Sequence, residues 1–269
     1  MKQEEPELVG LPPGTLQYVG RNTNAQVVVT VLEYNEFDYS ETRHTDVEAE
    51  MLNVRNGMVR WINVEGVHNT ELVEKIGKIY DIHPLTLEDI VNTNQRPKFE
   101  EYEKYLVNIM KMIYEEENPK KGQNDIFVSE QLAILIMNKR TVISFQEADG
   151  GDVFDIIRNR IRQGKGRIRK AGADYLAYCL IDAVVDSYFV VLEHFGDEME
   201  KIEDELVGNP KQALIRRLYD LKRQMIFLRK AVWPMRDMVN NIERSESELM
   251  TPATLVYLRD AHDHIVRVI

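Results

Sequence analysis

Cysteine is almost absent from this sequence. A single thiol, Cys179, stands in 269 residues, which excludes a disulfide within the chain and any zinc site built on cysteines, and fits a cytosolic setting. Long apolar runs are missing too: stretches such as 132–137 stop at six residues, far short of the eighteen or more that a membrane span needs. The N-terminus is polar and acidic, with no signal-peptide pattern. There is no G-x-S-x-G, no H-E-x-x-H, no phosphate loop and no dinucleotide fingerprint, and the six histidines are scattered. No motif nominates a substrate pocket, so the chain reads as a non-enzyme. Positive charge is in short supply, with 34 Lys and Arg against 45 Asp and Glu and a net charge of −11. That balance argues against nucleic acid as a partner of the surface as a whole, and towards cations.

What is present is enough apolar content, 43%, to bury a substantial core. The chain is organised around 82–98, IHPLTLEDIVNTNQRPK. Pro84 opens a helix at its first turn and Pro97 bars its continuation. Leu85, Leu87, Ile90 and Val91 supply an apolar side, leaving Glu88 and Asp89 on neighbouring faces at the edge of the packing, where carboxylates can meet a hard cation.

In chain order, 25–33 (AQVVVTVLE) has the continuous apolar character of a strand covered on both faces, and 58–64 (MVRWINV) alternates like a half-covered one. An amphipathic helix over 69–81 turns Leu72, Ile76 and Ile79 inward. Strands follow at 105–114, 126–137 and 140–146, the last two joined by a two-residue turn at Asn138 and Lys139; a helix occupies 152–162. Residues 1–165 therefore form an α+β domain, a mixed, largely antiparallel sheet sandwiched between helices in an α/β/α arrangement.

From Ala171 the pattern changes to long helices. Residues 173–206 run without proline, and Gly208, Asn209 and Pro210 turn the chain back, making 171–244 a helical hairpin. On its return arm Leu214, Leu218, Leu221, Met225, Leu228 and Val232 step by four and three, a seam for a helical partner. Pro234 is expected to kink or break this arm. Thr251 and Pro252 cap and open a last helix over 251–269. Its stripe of Leu255, Leu258, His262, Ile265 and Ile269 is still in force at the final residue, as in a helix severed partway.

Two charge concentrations stand out. Arg158, Arg160, Arg162, Lys165, Arg167, Arg169 and Lys170 contain no acid and no interleaved aromatic, which points to acidic surface of this chain or a neighbour instead of nucleic acid. Glu193, Asp197, Glu198, Glu200, Glu203, Asp204 and Glu205 crowd the hairpin tip. Such a face is normally solvated, and it also concentrates divalent cations.

The segments IHPLTLEDIVNTNQRPKFEEYEKYLV, ADYLAYCLIDAVVDSYFVVLE, LKRQMIFLRKAVWPMRDM and VYLRDAHDHIVRVI, in this order, with GLPPGTL near the start, resemble successive segments of the CorA family of magnesium transport proteins. The resemblance implies the cytoplasmic domain of a homopentameric channel in the cell membrane that passes Mg²⁺, and also Co²⁺ or Ni²⁺. It makes 1–165 the sensor domain, 171–244 the acidic hairpin and 251–269 the start of a stalk helix leading to the membrane. It further implies that Asp89 meets Asp260 of the next subunit's stalk across a bound ion, and that Glu88 and Asp182 belong to a second metal site. Asn94 stands where that site sometimes carries a histidine. The family's two membrane helices and Gly-Met-Asn motif do not occur in the sequence, so the stretch itself is expected to sense ions and not to conduct them. A zinc-transporting relative would share this architecture; a free-standing metal-dependent enzyme or binding module fits less well.

Overall fold

A computed structural model describes residues 10, 12–20, 25–47, 55–115, 127–147, 151–208 and 212–269. Met1 to Glu7, Leu11, and Asn209 and Pro210 of the expected hairpin turn lie outside the described residues. Seven strands, β1 (Val28–Tyr34), β2 (Tyr39–His44), β3 (Val59–Glu65), β4 (Lys98–Glu101), β5 (Leu106–Glu115), β6 (Phe127–Asn138) and β7 (Thr141–Gln146), form one sheet in the order β2-β1-β3-β7-β6-β5-β4. Among the described strands only β3 and β7 pair in parallel; the other strand pairings are antiparallel. The helices are α1 (Thr70–Tyr80), α2 (Pro84–Val91), α3 (Asp155–Gln163), α4 (Ala173–Gly208), α5 (Gln212–Arg244) and α6 (Pro252–Val268).

The sheet separates two cores. On one face α1 and α2 bury Leu72, Val73, Ile76, Leu87, Ile90 and Val91 against Val31, Ile62, Leu135 and Ile143. On the other, α3 to α6 cover Leu32, Trp61, Leu106, Ile134 and Val142. Being covered twice overturns the half-covered reading of β3, because Arg60 and Asn63, which produce the alternation in the sequence, are both buried. Arg60 is neutralised by its cross-strand neighbour Glu33 at 2.5 Å. Asn63 Oδ1 accepts from Ser144 Oγ (2.5 Å) and Gln146 Nε2 (3.0 Å), and Ser144 Oγ in turn accepts from Trp61 Nε1 at 2.8 Å. Burying polar groups is tolerable only when they are bonded in this way.

Two strands escape a pattern-based reading. β2 and β4 are the edges of the sheet, short and polar (YSETRH and KFEE), as edges tend to be to discourage pairing with other chains. Their structure comes from backbone pairing to β1 and β5, which leaves no apolar alternation to detect. The β6–β7 turn is Lys139 and Arg140, one residue later than expected, because Asn138 pairs with Thr141 and its Oδ1 accepts the Arg140 N–H at 2.8 Å.

Within Ala173–Val207 α4 is long and apolar enough to cross a membrane by length and composition. The run criterion passes over it because Asp182 and Asp186 interrupt the apolar stretch. Its apolar side packs on the sheet and on α5 and α6. α5 buries Leu214, Leu221, Leu228 and Val232, whereas Leu218 and Met225 of the expected seam are exposed: one row of side chains meets α4, and no helix among the described residues covers the adjacent row. The helix is unbroken through Pro234. α6 buries Leu258, Ala261 and Ile265 against α4 and α5 of its own chain, so over this length it is supported and does not protrude alone.

Five of the seven basic residues of 158–170 are used within the chain. Arg158 pairs with Asp152 (2.5 Å) beneath the ring of Trp61, Arg162 with Glu41 (2.8 Å) and Lys170 with Glu36 (3.1 Å). Arg167 donates to Tyr257 Oη, and Arg169 to the carbonyls of Ile161 and Arg162.

Candidate metal centre

α2 is clamped at both ends. His83 caps it, its Nδ1 accepting the Leu85 N–H at 3.2 Å, and Pro84 sits in the first turn where no amide is needed. At the far end Gln131 Nε2, from β6, donates to the carbonyls of Asp89 (2.9 Å) and Ile90 (3.3 Å). The segment 12–20 lies alongside: Val19 N–H bonds to Val91 O and Thr93 N–H returns to Val19 O, and Gly14 N–H donates to Glu88 Oε2 at 2.6 Å. Gly14 has φ +83°, and a Cβ there would lie 2.9 Å from Cβ of Pro84. Gly14→Ala is therefore expected to cost about 1–2 kcal/mol, from left-handed strain and that contact, and to draw the amide away from Glu88. Thermal unfolding checks the first effect, and a Tm equal to that of the parent would contradict it.

Asp89 is half-buried beside the aliphatic edge of α2. Its Oδ2 accepts from Lys98 Nζ at 2.7 Å, and the same ammonium reaches Glu100 Oε1 at 2.8 Å. Burial pushes the Asp89 carboxyl up, the Lys98 bond works in the opposite direction, and Glu100 and Glu88 add smaller upward contributions. Burial alone would lower the Lys98 ammonium, but its bonds to Asp89 and Glu100 outweigh this and raise it. This face of the molecule thus gathers Asp89 and Glu100 around one ammonium, with Glu88 as the neighbour of Asp89 along α2.

A second cluster forms on α4 and α6. Asp182 and Asp186 stand one helical turn apart on α4, and their carboxylates and an imidazole nitrogen of His264 lie within 4.8 Å of one another. Asp260, one turn before His264 on α6, approaches its Nε2 at 3.8 Å, while His264 Nδ1 is buried without a hydrogen-bond partner among the described residues. Burial raises the Asp182 carboxyl, with Asp186 and, more weakly, Asp260 adding to the rise. Asp182, raised chiefly by burial, and Asp186, with Asp260 and the imidazole of His264 beside them, form a donor set suited to a divalent ion.

The structure brings Asp182 and Asp260 into one cluster and places Glu88 and Asp89 on the opposite side of the sheet, since α2 packs in one core and α4 and α6 in the other. Within one chain, then, neither Asp89 and Asp260 nor Glu88 and Asp182 meet. Asn94 is exposed just beyond α2. Asp186 and His264 were not singled out as ligands from sequence, although both follow a carboxylate by four residues (Asp182/Asp186, Asp260/His264), a helical spacing that could have nominated them. At the hairpin tip Arg217 partly neutralises the acidic residues through Glu198 (3.3 Å) and Glu205 (2.8 Å).

An α/β/α body followed by long helices defines a fold class that soluble domains of known structure share. The soluble domain of CorA from Methanocaldococcus jannaschii superposes with a TM-score of 0.69 at 16% identity over 88% of each chain. The ZntB cytoplasmic domain from Vibrio parahaemolyticus does so with 0.66 at 15% identity, over 89% of this chain and 88% of that one. Within the class, residues 56–269 match the model of the CorA-like Mg²⁺ transporter protein family. The chain is 40% identical over 259 residues to the cobalt/magnesium transport protein CorA of Thermotoga maritima, across 96% of this chain and 72% of that protein. It thus belongs to the CorA family, a family of transporters and not of enzymes. The putative metal ion transporter YfjQ of Bacillus subtilis is 24% identical over 77% of this chain, which spans 61% of that relative's length.

Proposed function

We propose that this chain is the cytoplasmic, cation-sensing part of a homopentameric Mg²⁺ and Co²⁺ channel, with 1–165 as sensor domain, 171–244 as acidic hairpin and 251–269 as the start of a stalk towards the membrane. The observation that carries the proposal is the division of the acidic residues into two half-sites on opposite sides of the sheet. When copies stand side by side in a ring, Asp89 of one copy meets Asp260 of the next across one ion, and Glu88 and Asp182 contribute to a second metal site, with Asp186 and His264 beside Asp182. Mg²⁺ asks for no more, since it keeps most of its waters and accepts one or two carboxylates.

Gating follows from charge. Each copy carries −11, so adjoining acidic faces repel unless cations lie between them. High internal Mg²⁺ holds the copies together and closed, and its loss favours a splayed state. Sedimentation of the chain in millimolar MgCl₂ and in EDTA tests this: larger assemblies are expected only with Mg²⁺, and identical profiles would refute it. Zinc sensing is the alternative that His264 favours, because an imidazole between two carboxylates suits zinc better than magnesium. Assembly at micromolar Zn²⁺ but not at millimolar Mg²⁺ would select it.

A further inference from the structure

We infer that Lys98 is a built-in competitor for the cation proposed at Asp89, and that it sets the divalent-ion concentration at which that site fills. The inference rests on the reading of Asp89 as a cation ligand. Lys98 opens β4 directly after Pro97, so its backbone is held by the sheet edge and by the proline ring. Its ammonium lies 2.7 Å from Asp89 Oδ2 and 2.8 Å from Glu100 Oε1, in the position of a cation bridging two carboxylates. Glu100 is two residues further along the same strand, on the same face, and its other oxygen accepts from Tyr102 Oη at 3.1 Å.

This arrangement gives the ammonium two places to stand. Without a divalent ion it neutralises Asp89, which burial would otherwise leave as an unfavourable charge. When an ion and its waters approach Asp89, Lys98 can withdraw onto Glu100, which it already touches, so displacement does not strand the ammonium without a partner. A lysine is suited to this exchange, being a compact charge on a flexible stem. A unit charge retained about 6 Å from a divalent ion in a water-like dielectric opposes its binding by about tenfold, and that is the size of the threshold shift assigned to Lys98.

The test measures the Mg²⁺ and Co²⁺ midpoints for protection from trypsin, and Co²⁺ binding by calorimetry, in the full chain. Lys98→Met is expected to lower the midpoint about tenfold, Lys98→Arg, which keeps the charge, to leave it within about twofold, and Glu100→Gln to raise it by removing the ammonium's alternative seat. Circular dichroism without divalent ions verifies that each variant is folded, and should Lys98→Met fail to fold, Lys98→Gln takes its place. An unchanged or raised midpoint in the neutral variants overturns the inference and makes Lys98 a structural partner of α2. Asp89→Asn separates the two layers of argument: if it abolishes the cation response while Lys98→Met leaves it unchanged, only the competitor role fails. If neither variant alters the response, the reading of Asp89 fails as well.

Discussion

Replacing Asp89 or Asp260 with alanine is expected to raise, by at least about tenfold, the Mg²⁺ or Co²⁺ concentration that protects the assembled chain from proteolysis, and replacing both to abolish protection. The size follows from the coordination chemistry. Mg²⁺ held by one or two carboxylates and waters has no surplus ligands, and mutating even the outer partners of a metal ligand costs about 10–100-fold in affinity. The fold should survive both changes. Asp260 has a side chain 66% exposed, and surface substitutions of that kind stay within about 0.5 kcal/mol. Among the described residues the Asp89 side chain bonds to Lys98 and not to the helix backbone. Because the two residues lie on opposite sides of the sheet, an effect of each single change on the same midpoint would mean that they act across copies. Unchanged protection in the double variant would eliminate Asp89 and Asp260 as the site.

Arg60→Met is expected to destabilise the chain by about 3–5 kcal/mol, the penalty of leaving one member of a buried ion pair uncompensated. Glu33 is 6% exposed and Arg60 2%, directly opposed across β1 and β3 under the end of α1. The guanidinium donates to Glu33 Oε1 from Nε at 3.1 Å and from Nη2 at 2.5 Å. Arg55 also approaches Glu33, at 3.3 Å, but from an exposed position where water screens it. For a chain of this size the loss should lower Tm by roughly 10 °C. Adding Glu33→Leu to Arg60→Met should recover most of it, since an apolar pair of similar volume replaces a buried ion pair at little or no cost. Thermal unfolding by circular dichroism in EDTA, at neutral pH, measures both. A single-variant loss under about 1 kcal/mol would mean that Glu33 finds water or another partner once Arg60 is gone.

Much of this fold was legible without coordinates. The continuous apolar character of β1, the β6–β7 hairpin, the amphipathic helix α1, α2 between Pro84 and Pro97, and the start of α6 at Thr251 and Pro252 are all local signals, set by side-chain period, proline and capping chemistry within a few residues. The acidic pair on α2 was visible for the same reason, because burying Leu87, Ile90 and Val91 decides where Glu88 and Asp89 must point. The match of ordered segments to the CorA family carried the rest of the functional reading, including Asp182 and Asp260.

The tertiary structure decided what depends on neighbours far along the chain. β2 and β4 exist because β1 and β5 offer them unpaired backbone, a long-range hydrogen-bonding fact that leaves no period in YSETRH or KFEE. Arg60 and Asn63 are interior because helices cover both faces of β3, and only the packed sheet supplies Glu33, Ser144 and Gln146 as their partners. The grouping of Asp182, Asp186 and His264 needs α4 and α6 to lie side by side, 78 residues apart in sequence between Asp186 and His264. The presence of Lys98 on Asp89 needs β4 to return past α2. Composition, periodicity and capping act over one or two turns of chain and so are written in the sequence itself. Which charges face one another is set by how the layers stack, and that is a property of the folded whole.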